Sequence, residues 1–344
     1  MQRILSLDGG GIRGAFTARI LEHIEEQRPG FIAQSHLIVG TSTGGLIALA
    51  LRAGVTPRDL TRMYVERGAE IFADSFGDDI RDVGMLLGAQ YSSDGLISVA
   101  KDVLGEQTRL RDLSGPVAVT TFEMDSVDAA GNRTWKPWII HNLPGSDSDA
   151  DVLAWKAAVS TSSAPTFFPT FEGNIDGGVF ANNPSMVGVA QAMDPRGAAP
   201  AALDQIELFS IGTGQKPNYV PGQTLDWGLR QWARPLVDIM IDGVSGVVDQ
   251  QCRMMLGDRY ARLNPVLPPQ LRVSLDQVLS VREMVAWADF VAKSADFASF
   301  VAKIPEAKES PALSGSAAAA MPTPAAARPS IIDGLRRKLP PPRP

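Results

Sequence analysis

The sequence has very few of the residues that build disulfides and metal sites. Its 344 residues include one cysteine and three histidines. A single cysteine excludes an intramolecular disulfide and a cysteine-based zinc site, which fits a reducing compartment. We expect Cys252 itself to be a small thiol packed in the core on a helix.

An excess of positive charge and long apolar runs are also missing. The formal net charge is -6, whereas nucleic-acid-binding domains are usually strongly basic, so no nucleic-acid polymer is expected as a partner. No apolar run reaches the roughly 18 residues of a membrane span. The first strand starts at about Gln2, which leaves no room for a signal peptide. These features predict a cytoplasmic protein whose membrane contact is peripheral.

Strand-like and helix-like segments alternate along most of the chain. Apolar runs at residue 5 and over 36–39, 117–121, 138–140 and 206–211 are separated by amphipathic helical patterns. This order is typical of an α/β protein with a largely parallel sheet. Two further helical patterns, at about 225–256 and 275–301, follow the last of these strands. We predict one domain over residues 1–303. Residues 304–344 are rich in alanine and proline and are predicted to be a disordered tail, and 76–94 is either a surface excursion or a cover over a site.

Residues 6–15, SLDGGGIRGA, form a glycine-rich turn between a predicted strand and a predicted helix over 15–27. Gly9, Gly11 and Gly14 have the G-x-G-x-x-G spacing of a dinucleotide-binding turn. Such a turn presents backbone N–H groups at a helix start to an anion. A cofactor pyrophosphate would also call for an acidic residue about 20 positions on, after the next strand, and the sequence has none there. This loop alone therefore does not identify the anion that it would bind.

The next strand runs directly into a G-x-S-x-G sequence, Gly40 to Gly44, and a helical pattern follows over 46–52. A strand, a sharp turn and a helix are the context of a nucleophile elbow. The turn holds a serine hydroxyl exposed at the carboxyl end of the sheet, and Gly40 and Gly44 let neighbouring backbone approach. This pattern predicts Ser42 as an acyl nucleophile.

A serine hydroxyl needs a base to take its proton, and the usual base is a histidine. None of the three histidines lies after residue 141, which argues against the Ser, acid, His chain order of α/β-hydrolases. His23 and His36 fit structural or exposed positions, and His141 stays open as an alternative base.

A carboxylate is the other class of base, and Asp176 stands in a suitable setting. It follows Ile175 at the end of a predicted strand and precedes Gly177 and Gly178. Asp-Gly is also a common turn sequence. An aspartate with its usual pKa of about 3.9 is a weak base, so this role requires a desolvated site and a short contact with the hydroxyl. Asp176 is the leading prediction for the base.

Three ordered segments together resemble the patatin-like phospholipase family: DGGGIRG at 8–14, GTSTG at 40–44 and DGG at 176–178. Further stretches also resemble bacterial members: STSSAPTFFP at 160–169, NNP at 182–184, SIGTG at 210–214 and LGDRYARLNP at 256–265. The likeness covers about residues 1–300.

The resemblance implies a three-layer α/β fold and a Ser42–Asp176 dyad that cleaves lipid esters through an acyl-enzyme, without a metal or other cofactor. The implied substrate is a phospholipid or lysophospholipid at a membrane surface; neutral lipids or galactolipids are the alternative. The implied oxyanion hole consists of the loop residues Gly9, Gly10 and Gly11, helped by Arg13.

Some bacterial members of this family are antiviral defence effectors that a cyclic nucleotide activates. The resemblance therefore adds a cyclic nucleotide as an activator and an oligomer as the active state to the expectations. An alternative of another class is a non-catalytic interaction module that acts through the basic residues 336–338 of the tail.

Overall fold

A computed structural model of the chain describes residues 1–71, 89, 91–145, 147–197, 199–222, 224–268, 271 and 281–306. Residues Met1–Pro305 form one compact unit. The predictions made for most of 76–94 and for the tail beyond residue 306 lie outside the described residues.

The described residues contain seven strands and ten α-helices. The strands are β1 (Gln2–Leu7), β2 (Leu37–Thr41), β3 (Val117–Val127), β4 (Arg133–His141), β5 (Asn174–Asp176), β6 (Ile206–Ile211) and β7 (Tyr260–Leu263). The helices are α1 (Gly14–Gln27), α2 (Thr43–Arg52), α3 (Pro57–Ile71), α4 (Asp94–Leu104), α5 (Ala154–Ser162), α6 (Gly178–Ala181), α7 (Ser185–Met193), α8 (Leu229–Leu256), α9 (Val281–Val291) and α10 (Ala295–Ala302).

The strands form one mostly parallel sheet in the order β4-β3-β2-β1-β6-β7, with β4 antiparallel to β3. Alternate side chains of β1 enter two separate apolar clusters, because successive residues of a strand point to opposite faces. Leu5 and Leu7 pack in the larger cluster, with α1 and α2. Ile4 packs in the smaller one, with α7 and α8. Helices therefore cover both faces, and the predicted α/β fold with a largely parallel central sheet is confirmed.

Three elements differ from the sequence-based prediction. The hairpin of β3 and β4 is longer than the predicted strands, 117–121 and 138–140. Its outer half contains many exposed polar residues, and such a sequence is typical of a loop. The helical pattern predicted over 275–301 is interrupted between α9 and α10 at 292–294, where the Ser294 side chain caps α10. β7 extends the sheet beside β6 and was not predicted as a strand.

The pairing of β3 with two different strands creates the site at the carboxyl edge of the sheet. Thr120 of β3 pairs with Thr41, the last residue of β2. The next residue, Thr121, pairs with Asp176 of β5. β4 pairs with the other edge of β3. β5 therefore pairs with the same edge of β3 as β2 does, just beyond the point where β2 ends. Asp176 is therefore brought next to Ser42, which follows Thr41.

Candidate functional site

Ser42 forms the sharp turn between β2 and α2. Its φ of 54° and ψ of -126° lie in a region that non-glycine residues rarely adopt. The backbone N–H of Ser42 donates to Thr161 Oγ1 at 2.9 Å, and Thr161 donates in turn to the carbonyl of Thr120. The strained turn is thus tied to α5 and to β3, and it holds the half-buried serine at the edge of the sheet.

Gly44 lets α2 start directly against the end of β1. A Cβ at this position would overlap the carbonyl oxygen of Leu7 and lie 2.6 Å from that of Asp8. Both are backbone atoms at the end of a central strand, and they cannot move without distorting the glycine loop. A side chain at residue 44 therefore strains the elbow and the loop together.

We expect Gly44→Ala to lower the free energy of unfolding by about 2–3 kcal/mol, in the range of overpacked sites. Urea denaturation followed by circular dichroism measures the change. Gly246→Ala in α8 is the matched control, because a Cβ there meets nothing within 4 Å and alanine favours a helix. Equal stability of the two variants would contradict the close approach of α2 to β1.

Asp176 is buried at the end of β5, with 5% of its surface exposed. Its carboxylate accepts a 2.7 Å hydrogen bond from the N–H of Gly178. Burial raises the pKa of Asp176 to about 6, and interactions with the Ser42 hydroxyl and with this N–H oppose that rise. The site therefore has a desolvated carboxylate beside the serine hydroxyl, as the predicted role of Asp176 as a base requires.

The glycine loop after β1 lies beside Ser42. A Cβ on Gly9 would be 3.3 Å from Ser42 Cβ. The N–H of Gly9 donates to the carbonyl of Asn182 at 3.0 Å, and its own carbonyl accepts from Thr213 Oγ1 at 3.0 Å. The loop is thus held from both sides of the sheet, and the N–H of Gly9 is already engaged.

Arg13 stabilises this loop by donating hydrogen bonds to two backbone carbonyls. Its guanidinium donates to the carbonyl of Gly214 at 2.7 Å and to that of Gly10 at 3.4 Å. Burial lowers the pKa of Arg13 to about 10, so the side chain stays charged at neutral pH. The N–H groups of Gly10 and Gly11 stand where the 3-10 turn Gly11–Arg13 begins, before any helical carbonyl can accept from them.

The histidines lie away from Ser42. His23 in α1 contacts Asp289 at 2.7 Å, and His36 accepts from the N–H of Arg3 at 3.0 Å. His141 pairs with Ala118 near the amino end of β3, whereas Ser42 follows the residue opposite Thr120. The alternative of His141 as the base is therefore not supported by the geometry.

The remaining predicted site residues, Gly40 and Gly177, allow close approach of the backbone at the turns. A Cβ on Gly40 would overlap the backbone of Gly44, and one on Gly177 would overlap Thr120. Sequence reasoning missed Thr161, Asn182 and Thr213 as supports of the site. All three lie in stretches that resemble bacterial patatin-like proteins, so the signal was present, but only contacts in the folded chain reveal what each side chain holds.

A buried ion pair anchors the start of the glycine loop. Arg262 in β7 donates to both carboxylate oxygens of Asp8, at 3.1 and 2.5 Å, and to Ser210 Oγ at 2.6 Å. Both charged side chains are less than one tenth exposed. Asp8 raises the pKa of Arg262. The pair joins β7 across β6 to the residue before Gly9.

Arg262→Met should cost about 3–5 kcal/mol of stability, because it leaves a buried carboxylate without its partner. Thermal unfolding at fixed pH measures the loss, and adding Asp8→Asn should restore part of it. The control is Arg253→Met, since Arg253 is 61% exposed in its ion pair with Asp249 and should contribute far less. An equal loss in the two single variants would refute the anchoring role.

Comparisons with known proteins identify a family and several relatives. A family model described as patatin-like phospholipase matches residues 5–188. CotR of Bacillus subtilis is 29% identical over 77% of this chain and 88% of its own length. The cGAMP-activated phospholipase of Pseudomonas aeruginosa is 30% identical over 77% and 79%. The calcium-independent phospholipase A2 of Rattus norvegicus, described as 85/88 kDa, is 28% identical over 80% of this chain and 36% of its own. Among solved structures, VipD from Legionella pneumophila aligns with a TM-score of 0.39 and 11% identity, covering 83% of this chain and 67% of its own.

Proposed function

Because the chain belongs to the patatin-like phospholipase family and is a lipid ester hydrolase, we propose that it releases fatty acids from membrane phospholipids or lysophospholipids through an acyl-enzyme on Ser42. One observation carries the proposal: strand pairing places the buried Asp176 beside Ser42, and burial raises the pKa of this carboxylate to about 6. A carboxylate of this kind still accepts a proton at neutral pH and is a far better base than an exposed aspartate.

In the acylation step, Asp176 takes the hydroxyl proton while Ser42 Oγ attacks the ester carbonyl of the lipid. The carbonyl oxygen becomes an oxyanion in a tetrahedral intermediate. We assign its stabilisation to the N–H groups of Gly10 and Gly11, because the N–H of Gly9 is bonded to Asn182. The dipole of α2, which begins at Thr43, adds partial positive charge there. One such donor typically stabilises a transition state by about 2.7–4 kcal/mol.

Collapse of the intermediate expels the lysolipid or glycerol oxygen, which takes the proton from Asp176. In the deacylation step Asp176 deprotonates a water molecule, which attacks the acyl carbonyl to form a second tetrahedral intermediate. This intermediate collapses as Ser42 Oγ leaves and takes the proton back from Asp176, which releases the fatty acid and restores the serine hydroxyl. Arg13 acts as a positioning residue in both steps, because its hydrogen bonds to the carbonyls of Gly10 and Gly214 fix the loop that carries the donors.

Fatty-acid release from vesicles of mixed phosphatidylcholine, phosphatidylethanolamine and phosphatidylglycerol, followed by mass spectrometry, tests the proposal. We expect free fatty acids and lysolipids from the wild type. Parallel emulsions of triacylglycerol and galactolipid test the alternative substrates. Faster release from either emulsion than from phospholipid would replace the proposed substrate class.

A second proposal concerns regulation by a cyclic nucleotide, and the similarity to the cGAMP-activated phospholipase of Pseudomonas aeruginosa favours it. In this proposal the chain is a defence effector whose hydrolysis of membrane lipid begins when the nucleotide binds. The same vesicle assay with a panel of cyclic di- and trinucleotides should then show a rise in release. Equal rates with and without every nucleotide would contradict the regulation and leave the hydrolase proposal standing.

A further inference from the structure

The hairpin of β3 and β4 extends beyond the catalytic edge of the sheet. β2 ends opposite Thr120, but β3 continues to Val127 and pairs there with Arg133 of β4. The seven residues from 121 to 127 span roughly 23 Å at a strand's rise per residue. The extension exposes large apolar side chains: Met124, Val127 and Trp135, the last 67% exposed. A tryptophan so exposed is unusual in water and is typical of a membrane–water interface.

Four of the five charged side chains of the hairpin pair with each other, and the fifth, Asp128, lies in the turn. Arg133 pairs with Asp125, and Lys136 lies 3.5 Å from Glu123. These pairs leave little net charge among the exposed apolar side chains. A surface of this kind does not depend on a charged partner.

Helix α8 has its apolar face turned toward solvent. At about 100° per residue, Leu236, Val237, Met240, Val244, Val247 and Met254 share one half of the helix between Pro235 and Leu256, and every one of them is exposed. Gln250 and Gln251 are the polar side chains on that half, and none of the described side chains there is charged. We call these six apolar residues the outward face.

A separate stripe of α8 packs on the protein, with Val248, Cys252 and Leu256 in the smaller apolar cluster. The charged residues Asp238, Asp242 and Arg253 are exposed beside that stripe. Asp249 accepts from the Tyr260 hydroxyl at 2.9 Å, and Asp242 accepts from Asn218 at 3.2 Å. The negative charges of Asp238 and Asp242 act on Arg13. A surface helix normally has one apolar stripe, which faces the core, whereas α8 has a second one that faces solvent. The outward face therefore fits an apolar environment outside this chain.

Both apolar features stand next to the same small helix. α6 follows Asp176 directly and packs against α8, and Asn183 just after α6 donates to the carbonyl of Ser245 in α8 at 3.5 Å. On the other side, Phe180 of α6 packs on Phe122 of β3 with ring centres 6.1 Å apart. The hairpin and α8 thus flank the short helix that follows the proposed base.

We propose that the exposed apolar side chains of the hairpin and the outward face of α8 form a docking surface for a phospholipid bilayer. The inference rests on the proposed function, because it names where the lipid substrate is met. A projecting hairpin and a separate convex helix do not make one flat patch, and a fluid apolar phase accommodates such a shape more readily than the rigid surface of a second copy. The hairpin and the outward face have no excess of positive charge, which predicts binding to uncharged lipid.

Sedimentation with sucrose-loaded phosphatidylcholine vesicles tests the docking surface in the full-length chain. Ser42→Ala is introduced so that the vesicles stay intact. The tested changes are Trp135→Ala and the pair Met240→Asp with Val247→Asp. Phe290→Ala and Val65→Asp are matched controls, since both residues are exposed apolar side chains on other helices, α9 and α3. We expect each tested change to weaken partitioning by about tenfold or more, with the controls and 0.5 M salt having little effect.

The same substitutions with Ser42 present separate docking from catalysis. Hydrolysis of a soluble short-chain ester should stay unchanged, while vesicle hydrolysis falls by the same factor as binding. If no variant hydrolyses anything, the proposed function has failed and sedimentation still reports on docking. Wild-type binding equal to that of the tested variants overturns the docking surface. A dimer in sedimentation velocity that the α8 changes convert to monomer, without loss of vesicle binding, overturns it in favour of contact between copies.

Discussion

Replacing Ser42 by alanine is expected to lower ester hydrolysis by at least about 10³-fold, on vesicles and on a soluble ester alike. The substitution removes the atom that forms the acyl-enzyme, and the oxyanion donors alone retain only a residual acceleration. Because Ser42 is half-buried and its side chain packs little, the fold should remain intact. Initial rates with matched circular dichroism spectra measure the effect.

A fluorophosphonate probe gives an independent reading of the nucleophile. Intact-mass analysis should show one adduct on the wild type, mapped to Ser42, and none on Ser42→Ala. His141→Gln serves as the control, since His141 lies toward the other edge of the sheet, and its labelling rate should match the wild type. Labelling of a different serine, or full activity in Ser42→Ala, would show that another residue is the nucleophile.

Asp176→Asn is expected to reduce the rate by about 10²–10⁴-fold, the range for loss of a general base. The amide is nearly the same size and its oxygen can still accept from the N–H of Gly178, so the loss reports on proton transfer. Asp149→Asn is the matched control, because burial also raises the pKa of Asp149, while its carboxylate accepts from the N–H of His141 instead. Comparable losses in the two variants would point to general damage from removing a buried carboxylate.

The pH dependence follows from the same carboxyl group. The proposed base must be deprotonated, so kcat/KM should rise with pH and level off above the Asp176 pKa of about 6, falling by about tenfold per unit below it. The effect on stability has the opposite sign. Folding raises this pKa from 3.8 to about 6, so the folded chain binds the proton more tightly, and stability falls as pH rises through this window.

A shift of about two pKa units corresponds to about 3 kcal/mol at neutral pH. Asp176→Asn should therefore raise the unfolding temperature at pH 7 while it lowers activity, and the gain should vanish below about pH 4. An unchanged or lower unfolding temperature at pH 7 would mean that the carboxylate is better solvated than its burial indicates. The proposed base would then lack its physical origin.

Local motifs predicted much of the fold and the placement of the site. The strand, turn and helix around Ser42 are continuous in sequence, so their periodicity and glycines were sufficient. Asp176 was reached through the shortage of histidines and the strand ending before Gly177. The structure brings these residues together, and their roles stay proposals until the variants are measured.

The remaining parts of the site depend on contacts between distant segments. No local pattern in the sequence predicts the register that sets Thr121 opposite Asp176. The same holds for the hydrogen bonds of Thr213 and Asn182 to Gly9, and for the ion pair of Asp8 with Arg262. The helical prediction over 225–256 agreed with α8, but periodicity cannot tell which half of a helix faces the protein when the surrounding elements are unknown.

The position of β1 determines the order in which the parts of the proposed site come together during synthesis. β1 precedes the other six strands along the chain, yet it lies inside the sheet between β2 and β6. During synthesis the glycine loop and Ser42 leave the ribosome long before Asp176 and Thr213, and strand pairing across such a distance forms late. A nascent chain thus carries the proposed nucleophile without its base and without a fixed oxyanion loop. The topology thus delays assembly of the proposed site until the chain has been made through Thr213.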